Sequence, residues 1–229
     1  MKQLLFIVTS AGIIGTGNVK TGYEFSEIAD PYIELIKVGY TIDFASIRGG
    51  VPPGEGYDDT HHNSRLFRNS PGFEKLKSSY QLKHVSVDDY AGIFFPGGLG
   101  PMVDMVDNQL IKEVISNVYE KGKIVAAVCH GPVAFLNVSL SNGEYLLEGK
   151  RVTCFTEAEE KIKKHHLHTV IPFMLSDALK RQGAVFSSGK PFENYVVVDA
   201  NLITGQNPGS AVNVAREIVR AHHHAIAGS

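Results

Sequence analysis

The segment that ends at Pro132 places a reactive cysteine directly after a short apolar run. Ile124–Val128 is apolar throughout and is followed by Cys129, His130, Gly131 and Pro132. A buried strand, a nucleophile, a glycine that lets the backbone reverse and a proline that can begin a helix form the layout of a nucleophile elbow. The amides and the positive end of such a helix stabilise a thiolate, so we expect a lowered pKa for Cys129. The alternative is a buried structural cysteine that precedes a helix.

A glycine pair after another apolar run offers amide donors to the same site. The sequence from Phe94 to Gly98 reads FFPGG. In a doubly wound sheet such a turn lies beside the elbow at the carboxyl edge, where these folds bind ligands. We therefore predict that the N–H groups of Gly97, Gly98 and His130 stabilise an oxyanion. The alternative is an ordinary turn.

Glu27 lies near the start of a helical stretch and is the third candidate for chemistry. A carboxyl group directed at a thiolate must be protonated or have a raised pKa, and it then serves as a proton shuttle. From spacing alone, a solvated surface charge is the favoured interpretation.

Two other motifs do not support a cofactor or a metal. Gly12–Gly17 has the order G-x-x-G-x-G, whereas a dinucleotide-binding loop reads G-x-G-x-x-G. The histidines at 61–62 and 165–168 are not accompanied by carboxylates or cysteines at a recognisable ligand spacing,. We expect neither an organic cofactor nor a metal site.

Composition limits the class of protein. The chain has 229 residues, 43% of them hydrophobic, and a formal net charge of -2 without a basic cluster. These values indicate a globular protein and argue against nucleic-acid binding. No apolar run approaches the roughly 20 residues of a membrane span. The two cysteines, Cys129 and Cys154, form no disulfide framework, so we expect a reducing, cytoplasmic location,.

Short apolar runs alternate with helical periodicity, which predicts an α/β fold with a parallel sheet covered on both faces. We predict one domain over residues 1–229, with a surface excursion at 48–71 and a helical insertion at 160–182 that covers the site. The predicted strands are Leu4–Val8, Thr41–Ser46, Gly92–Phe95, Ile124–Val128, Arg151–Phe155, Ala184–Ser187 and Tyr195–Val198, and the predicted helices are Phe25–Val38, Asn108–Lys121 and Ser210–Ala221.

The sequence AAVCHGP at 126–132 resembles the elbow of the DJ-1/PfpI superfamily, and in particular its Hsp31-like branch of glutathione-independent glyoxalases. Segments at 21–32, 39–46, 152–160 and 201–210 are similar to other parts of the same family. The resemblance therefore extends over nearly the whole chain. It implies a flavodoxin-like doubly wound sheet, mostly parallel, and a homodimer.

The resemblance also implies roles for individual residues. Glu27 matches the family glutamate that contacts the cysteine sulfur, which reverses the interpretation from spacing. His130 becomes the partner imidazole, oriented by Glu160, although the adjacent Glu159 is an alternative. One position differs: many Hsp31-like relatives have histidine where this chain has Leu99, so the polar lining of the site is altered. Cys154 lies within a predicted strand and is interpreted as an inert core residue.

The function implied is that of a glyoxalase III-like enzyme, which converts methylglyoxal, a small reactive dicarbonyl, to lactate. Cys129 forms a hemithioacetal and Glu27 moves a proton between the two carbons. One alternative is a stress-response holdase that binds unfolded proteins and senses redox state through an oxidisable Cys129. Another is a cysteine amidase or peptidase that uses Cys129, His130 and Glu160.

Overall fold

A central seven-stranded sheet organises the molecule, whose computed structural model describes residues 2–162 and 169–227. The strands are β1 (Gln3–Val8), β2 (Ile13–Ile14), β3 (Val19–Lys20), β4 (Tyr23–Glu24), β5 (Thr41–Ser46), β6 (Gly54–Glu55), β7 (Tyr80–Gln81), β8 (Gly92–Phe95), β9 (Ile124–Val128), β10 (Arg151–Val152), β11 (Val185–Phe186), β12 (Val196–Asp199) and β13 (Leu202–Gly205). The helices are α1 (Ser26–Lys37), α2 (His62–Arg68), α3 (Pro71–Lys77), α4 (Pro101–Asp104), α5 (Gln109–Glu120), α6 (Glu157–Glu160), α7 (Leu175–Arg181) and α8 (Ala211–Ala227).

The strand order is β12-β13-β9-β8-β1-β5-β7. All neighbours pair in parallel except β12 and β13, which are antiparallel at one edge. Alternate residues of the central strands enter two different cores: Leu5 packs on one face, with α5 and α7, and Phe6 packs on the other, with α1 and α8. This two-sided burial explains why the central strands are apolar at every position. The predicted doubly wound, mostly parallel sheet is confirmed.

Individual elements agree closely with the predicted ones around the sheet centre. The four central runs, from Leu4–Val8 to Ile124–Val128, form strands, and the two predicted amphipathic helices form α1 and α5. Gly122 follows the end of α5 with a φ of 68°. A glycine adopts this left-handed conformation without the strain that a Cβ atom imposes.

Two predicted strands lie outside the central sheet. The segments predicted as Arg151–Phe155 and Ala184–Ser187 contribute only β10 and β11, which form a separate parallel pair. Beyond β10 the backbone crosses the carboxyl end of the sheet, where Phe155 N donates to the carbonyl of Cys129 at 2.9 Å. The strand that occupies the position next to β9 is β13, which was not among the predicted strands.

The segment 48–71, which we predict to be a surface excursion, contains regular secondary structure. It contains β6 and α2 and ends at the start of α3. Phe67 of α2 is fully buried and packs against the rings of Phe25, Tyr32 and Phe44. Burial of this aromatic side chain anchors the segment to the sheet.

The predicted cap at 160–182 divides into two parts. Thr169 and Val170 line a cavity of about 470 Å³, whereas α7 is part of the core because Leu175 and Leu179 are buried. The histidine-containing stretch 165–168 lies outside the described residues.

The C-terminal helix continues past the predicted end at residue 221. The ring of His222 is buried, and its Nδ1 lies 2.6 Å from the hydroxyl of Tyr40. Within the described chain, no helix is long and apolar enough to cross a lipid bilayer.

Candidate active site

Cys129 lies on a strained turn at the carboxyl end of β9. Its φ is 60°, a left-handed value that non-glycine residues adopt rarely and mainly where surrounding contacts enforce it,. Two hydrogen bonds provide that enforcement. The Cys129 N–H donates to Gly205 O, and the Cys129 carbonyl accepts from Phe155 N, both at 2.9 Å. The neighbouring strand and the crossing segment therefore hold the sulfur in position.

Gly131 must be glycine because its backbone lies close to the end of β8. A Cβ atom at Gly131 would lie 2.3 Å from the carbonyl oxygen of Phe95. The helix that follows is a five-residue 3₁₀ helix, Gly131–Phe135, rather than the α-helix expected from the elbow pattern. Such a short helix with poorer hydrogen-bond geometry supplies less dipole to the sulfur than was assumed.

His130 bridges the cysteine and a buried glutamate. Its Nδ1 lies 3.4 Å from Cys129 Sγ, and its Nε2 lies 2.6 Å from Glu160 Oε1. Both side chains are almost fully buried. A carboxylate at this distance accepts a hydrogen bond from a protonated Nε2. We therefore assign the lone pair of the neutral ring to Nδ1, which faces the thiol. The arrangement can therefore remove the thiol proton.

Glu159 has a different role from the adjacent Glu160. Its side chain closes a capping box with Thr156 at the start of α6. Its carboxylate also accepts from Asn207 Nδ2 at 2.8 Å and from Gln206 Nε2 at 3.1 Å. Between the two candidates that the sequence left open, Glu160 is the one that contacts His130.

Glu27 lies in the first turn of α1 and is fully buried, so it is not the solvated surface charge that spacing alone favoured. Its Oε2 accepts from the N–H of Gly97 at 2.6 Å. Its Oε1 is buried and has no hydrogen-bonding partner within the described parts of the chain. Burial, reinforced by the negative charge of Glu24, raises the pKa of Glu27 from 4.5 to about 8. A carboxyl group with such a pKa can both donate and accept a proton near neutral pH.

The pKa of the Cys129 thiol is also raised, which contradicts the lowered value expected from the sequence. Burial is the main cause and the adjacent Glu27 carboxylate is the second. The two groups are close: a Cβ atom at Gly97 would lie 2.7 Å from Glu27 Oε2 and 2.8 Å from Cys129 Cβ. Two acids at this separation titrate as a pair, and because the pKa of each is raised, both hold their protons near neutral pH,.

Only two of the three amide groups predicted to bind an oxyanion are available for that role. The N–H of Gly97 is occupied by Glu27. The N–H groups of Gly98 and His130 have no acceptor in residues 2–162 or 169–227. Those two amides therefore stay candidates for oxyanion stabilisation.

The site opens into a cavity of about 470 Å³, a size typical of small-ligand pockets,. Its lining includes the predicted site residues Cys129, His130, Glu27, Gly98 and Leu99. Gly97 and Glu160 are not in the lining but form hydrogen bonds with Glu27 and His130. The lining also includes side chains that sequence reasoning did not assign to the site, namely Glu24, Glu55, Phe155, Val170 and Phe192. A glutamate three residues before Glu27 and the Gly-Glu-Gly of 54–56 were the only local signals for the two acids.

Comparison with known proteins places this geometry in a family. The family model described as "DJ-1/PfpI family" matches residues 18–221. The chain belongs to the DJ-1/PfpI family. The match includes Glu27, the elbow and Glu160, so the residues that the structure brings together all lie in the family segment of this DJ-1/PfpI protein.

Several relatives of this DJ-1/PfpI protein have activities in their names. "Glyoxalase 3" of Candida albicans is 30% identical over 96% of this chain and 98% of its own length. "Glutathione-independent glyoxalase HSP31" of Saccharomyces cerevisiae is 30% identical over 93% of this chain and 94% of its own length. Among solved structures, Rapid Encystment Protein 24 kDa of Francisella tularensis is 35% identical, with a TM-score of 0.90 over 97% of this chain and 99% of its own.

Proposed function

We propose that this protein is a glutathione-independent glyoxalase that converts methylglyoxal to lactate. The observation that supports the proposal most directly is the environment of Glu27. A fully buried carboxyl whose pKa is raised to about 8 lies beside the Cys129 thiol in a cavity of about 470 Å³. One of its oxygens has no hydrogen-bonding partner among the residues that the structure describes. The glyoxalase names of the Candida albicans and Saccharomyces cerevisiae relatives point to the same reaction.

The reaction begins with addition of the thiol to the aldehyde. The Cys129 proton passes to His130 Nδ1, which lies 3.4 Å from the sulfur. The sulfur then bonds to the aldehyde carbon, and the carbonyl oxygen takes a proton from Glu27. The product is a hemithioacetal, with an imidazolium at His130 and a carboxylate at Glu27. Glu160 stabilises the imidazolium.

Proton transfer between the two carbons follows. The Glu27 carboxylate removes the hydrogen of the former aldehyde carbon, and His130 returns its proton to the ketone oxygen, which gives an enediol. Glu27 then protonates the second carbon while the hydroxyl of the first carbon gives its proton to His130. The hemithioacetal has become a lactoyl thioester without any external oxidant or reductant.

Hydrolysis completes the cycle. Water adds to the thioester carbon, its proton passes to Glu27, and the departing sulfur takes the proton of His130. Lactic acid leaves and all three side chains regain their starting protonation states. We assign stabilisation of the oxyanion in this step to the amides of Gly98 and His130, which donate to no other acceptor among the described residues,.

The test is lactate formation from methylglyoxal without glutathione. We expect activity in the wild type and loss of at least about 100-fold in Cys129→Ala and Glu27→Gln, since each removes a group that takes part in bond making or proton transfer. Cys154→Ala is the matched control because Cys154 is a fully buried thiol outside the cavity lining. An inactive wild type, or full activity in Glu27→Gln, would reject the proposal.

A second candidate is hydrolysis of an amide or ester. It is favoured by the continuous Cys129–His130–Glu160 arrangement, which has the geometry of a nucleophile, a base and an orienting carboxylate,. The two candidates differ in their need for Glu27. A hydrolase of this kind retains hydrolysis of p-nitrophenyl acetate when Glu27 is replaced by glutamine. A glyoxalase loses lactate formation in the same variant.

Three further properties belong to the proposal. A cytoplasmic location rests on the cysteine usage, and assembly as a homodimer and, in an alternative role, the binding of unfolded proteins rest on the family resemblance. Light scattering of the purified protein distinguishes a dimer from a monomer, and suppression of thermal aggregation of a client protein tests the holdase role.

A further inference from the structure

Two carboxylates besides Glu27 line the Cys129 cavity. Glu24 and Glu55 come from different segments, but the parallel pairing of β4 and β6 places them directly opposite each other. A further hydrogen bond, from Phe25 N to Glu55 O at 2.9 Å, fixes the two strands together. We call Glu24 and Glu55 the acidic pair.

Hydroxyl groups are hydrogen-bonding partners of the acidic pair. Glu24 Oε1 accepts from the hydroxyl of Ser26 at 3.2 Å, and Glu55 Oε1 accepts from the hydroxyl of Thr21 at 3.0 Å. Neither carboxylate forms an ion pair with a lysine or arginine of the described chain. Among the residues that the structure describes, Lys20 is the one lysine that lines the cavity, and it is exposed.

The acidic pair affects the electrostatics of the whole cavity. Both carboxyls are half-buried, and burial raises the pKa of each. The negative charges of Glu24 and Glu55 contribute to the raised pKa of Glu27, and Glu24 contributes to that of Cys129. Charges that influence those groups also act on any ligand that reaches the sulfur. Interactions of this kind are stronger in a partly desolvated cavity than in water.

We propose that Glu24 and Glu55 determine the charge class of the substrate, so that the cavity admits uncharged electrophiles to Cys129 and excludes those that bear a carboxylate or a phosphate. If the proposed glyoxalase function holds, on which this step rests, the substrates are uncharged 2-oxoaldehydes. Apolar walls formed by Leu99, Phe155 and Phe192 allow a hydrocarbon or aromatic substituent on that substrate.

The first test does not depend on turnover. Iodoacetamide and iodoacetate have nearly the same size and react in the same way: the cysteine sulfur bonds to carbon, iodide leaves and the thiol proton goes to solvent. The rate of modification of Cys129 by each reagent is measured by peptide mass spectrometry, which separates it from Cys154. The iodoacetate-to-iodoacetamide rate ratio is then divided by the same ratio for N-acetylcysteine.

We expect the normalised ratio to be below one in the wild type. Glu24→Gln and Glu55→Gln should each raise it by about three- to tenfold, which is the effect of removing one nearby like charge. Glu74→Gln is the control because the Glu74 side chain is 70% exposed and lies outside the cavity. In the wild type, which needs no substitution to fold, added salt should raise the ratio by screening the pair. A wild-type ratio near one that neither salt nor the substitutions change would overturn the proposal.

The second test uses turnover. The uncharged 4-carbamoylphenylglyoxal and the anionic 4-carboxyphenylglyoxal are compared as substrates, and the acidic-pair variants should narrow the difference in kcat/KM. If neither compound is converted but the alkylation ratios change as expected, the glyoxalase proposal fails and the proposed role of the acidic pair in charge selection stands. If both are converted equally well by the wild type, the glyoxalase proposal stands and the acidic pair is rejected.

Discussion

Replacing Glu27 by glutamine should change the way in which stability depends on pH. The Glu27 carboxyl is fully buried, and its pKa rises from 4.5 to about 8. Because the folded state holds this proton more tightly than the unfolded chain, the stabilisation is complete below about pH 4.5. It decreases as pH rises and is lost once pH passes about 8,.

The size of the effect follows from the shift in pKa. Each pKa unit corresponds to about 1.4 kcal/mol, so the shift amounts to about 5 kcal/mol of unfolding free energy between the two ends of this range. Glutamine keeps the shape of the side chain and cannot ionise. The variant should therefore gain stability relative to the parent as pH increases, by up to about 5 kcal/mol.

The assay is urea unfolding of the variant and its parent at a series of pH values. The titration of Cys129 complicates the comparison, because the two groups interact. The measurement is best made in a Cys129→Ala background, with and without Glu27→Gln. Parallel stability curves for the two proteins over the whole range would show that Glu27 is not a buried acid with a raised pKa, and would refute this reasoning.

Three other substitutions test the support of the site. Gly97→Ala should lower kcat/KM by about 100-fold, because the added Cβ would lie 2.7 Å from Glu27 Oε2 and 2.9 Å from His130 N,. Steady-state kinetics with methylglyoxal measures this, and an unchanged rate would contradict the account. Glu160→Gln should lower kcat by about 100-fold with little change in KM, because the amide oxygen can still accept from His130 Nε2 but no longer carries the negative charge that stabilises the imidazolium,. A change confined to KM would argue against this role. Lys112→Met should lower the unfolding free energy by about 1–3 kcal/mol, because two backbone carbonyls lose a buried donor,. Urea unfolding would show this, and unchanged stability would mean that neither hydrogen bond matters.

The elbow and the central strands could be predicted because their determinants are local. Strands buried on both faces must be apolar at every position, and Ile124–Val128 shows this directly. Gly131 could be predicted for a similar reason, since a sharp reversal beside a packed strand leaves no room for a side chain.

Glu27 shows where local signals end. Its neighbours in the sequence are compatible with an exposed helical charge, and spacing favoured that interpretation. Its burial depends on the N–H of Gly97, which is 70 positions away in the chain. Only the family resemblance directed attention to it. The acidic pair has the same character, because Glu24 and Glu55 meet through a pairing of two-residue strands that no periodicity reveals.

The errors have physical causes as well. Arg151–Phe155 has the composition of a buried strand but crosses the end of the sheet, where its amides bond to a turn and to a side chain. The pKa of Cys129 was expected to fall because the helix dipole was considered without the cost of burial and without Glu27. The path of residues 151–155 and the pKa of Cys129 both depend on tertiary contacts.

The most direct test of the account is to follow methylglyoxal that is isotopically labelled at its aldehyde carbon by NMR, with the wild type and Glu27→Gln at high protein concentration. We predict that the wild type converts the label to the carboxylate carbon of lactate. In Glu27→Gln, the label should stop as a hemithioacetal on Cys129. The thiol proton that His130 takes up can pass on to the carbonyl oxygen in place of the Glu27 proton, whereas the transfer between the two carbons requires Glu27,. Formation of labelled lactate by Glu27→Gln at the wild-type rate would contradict the central claim that Glu27 moves the proton between the two carbons.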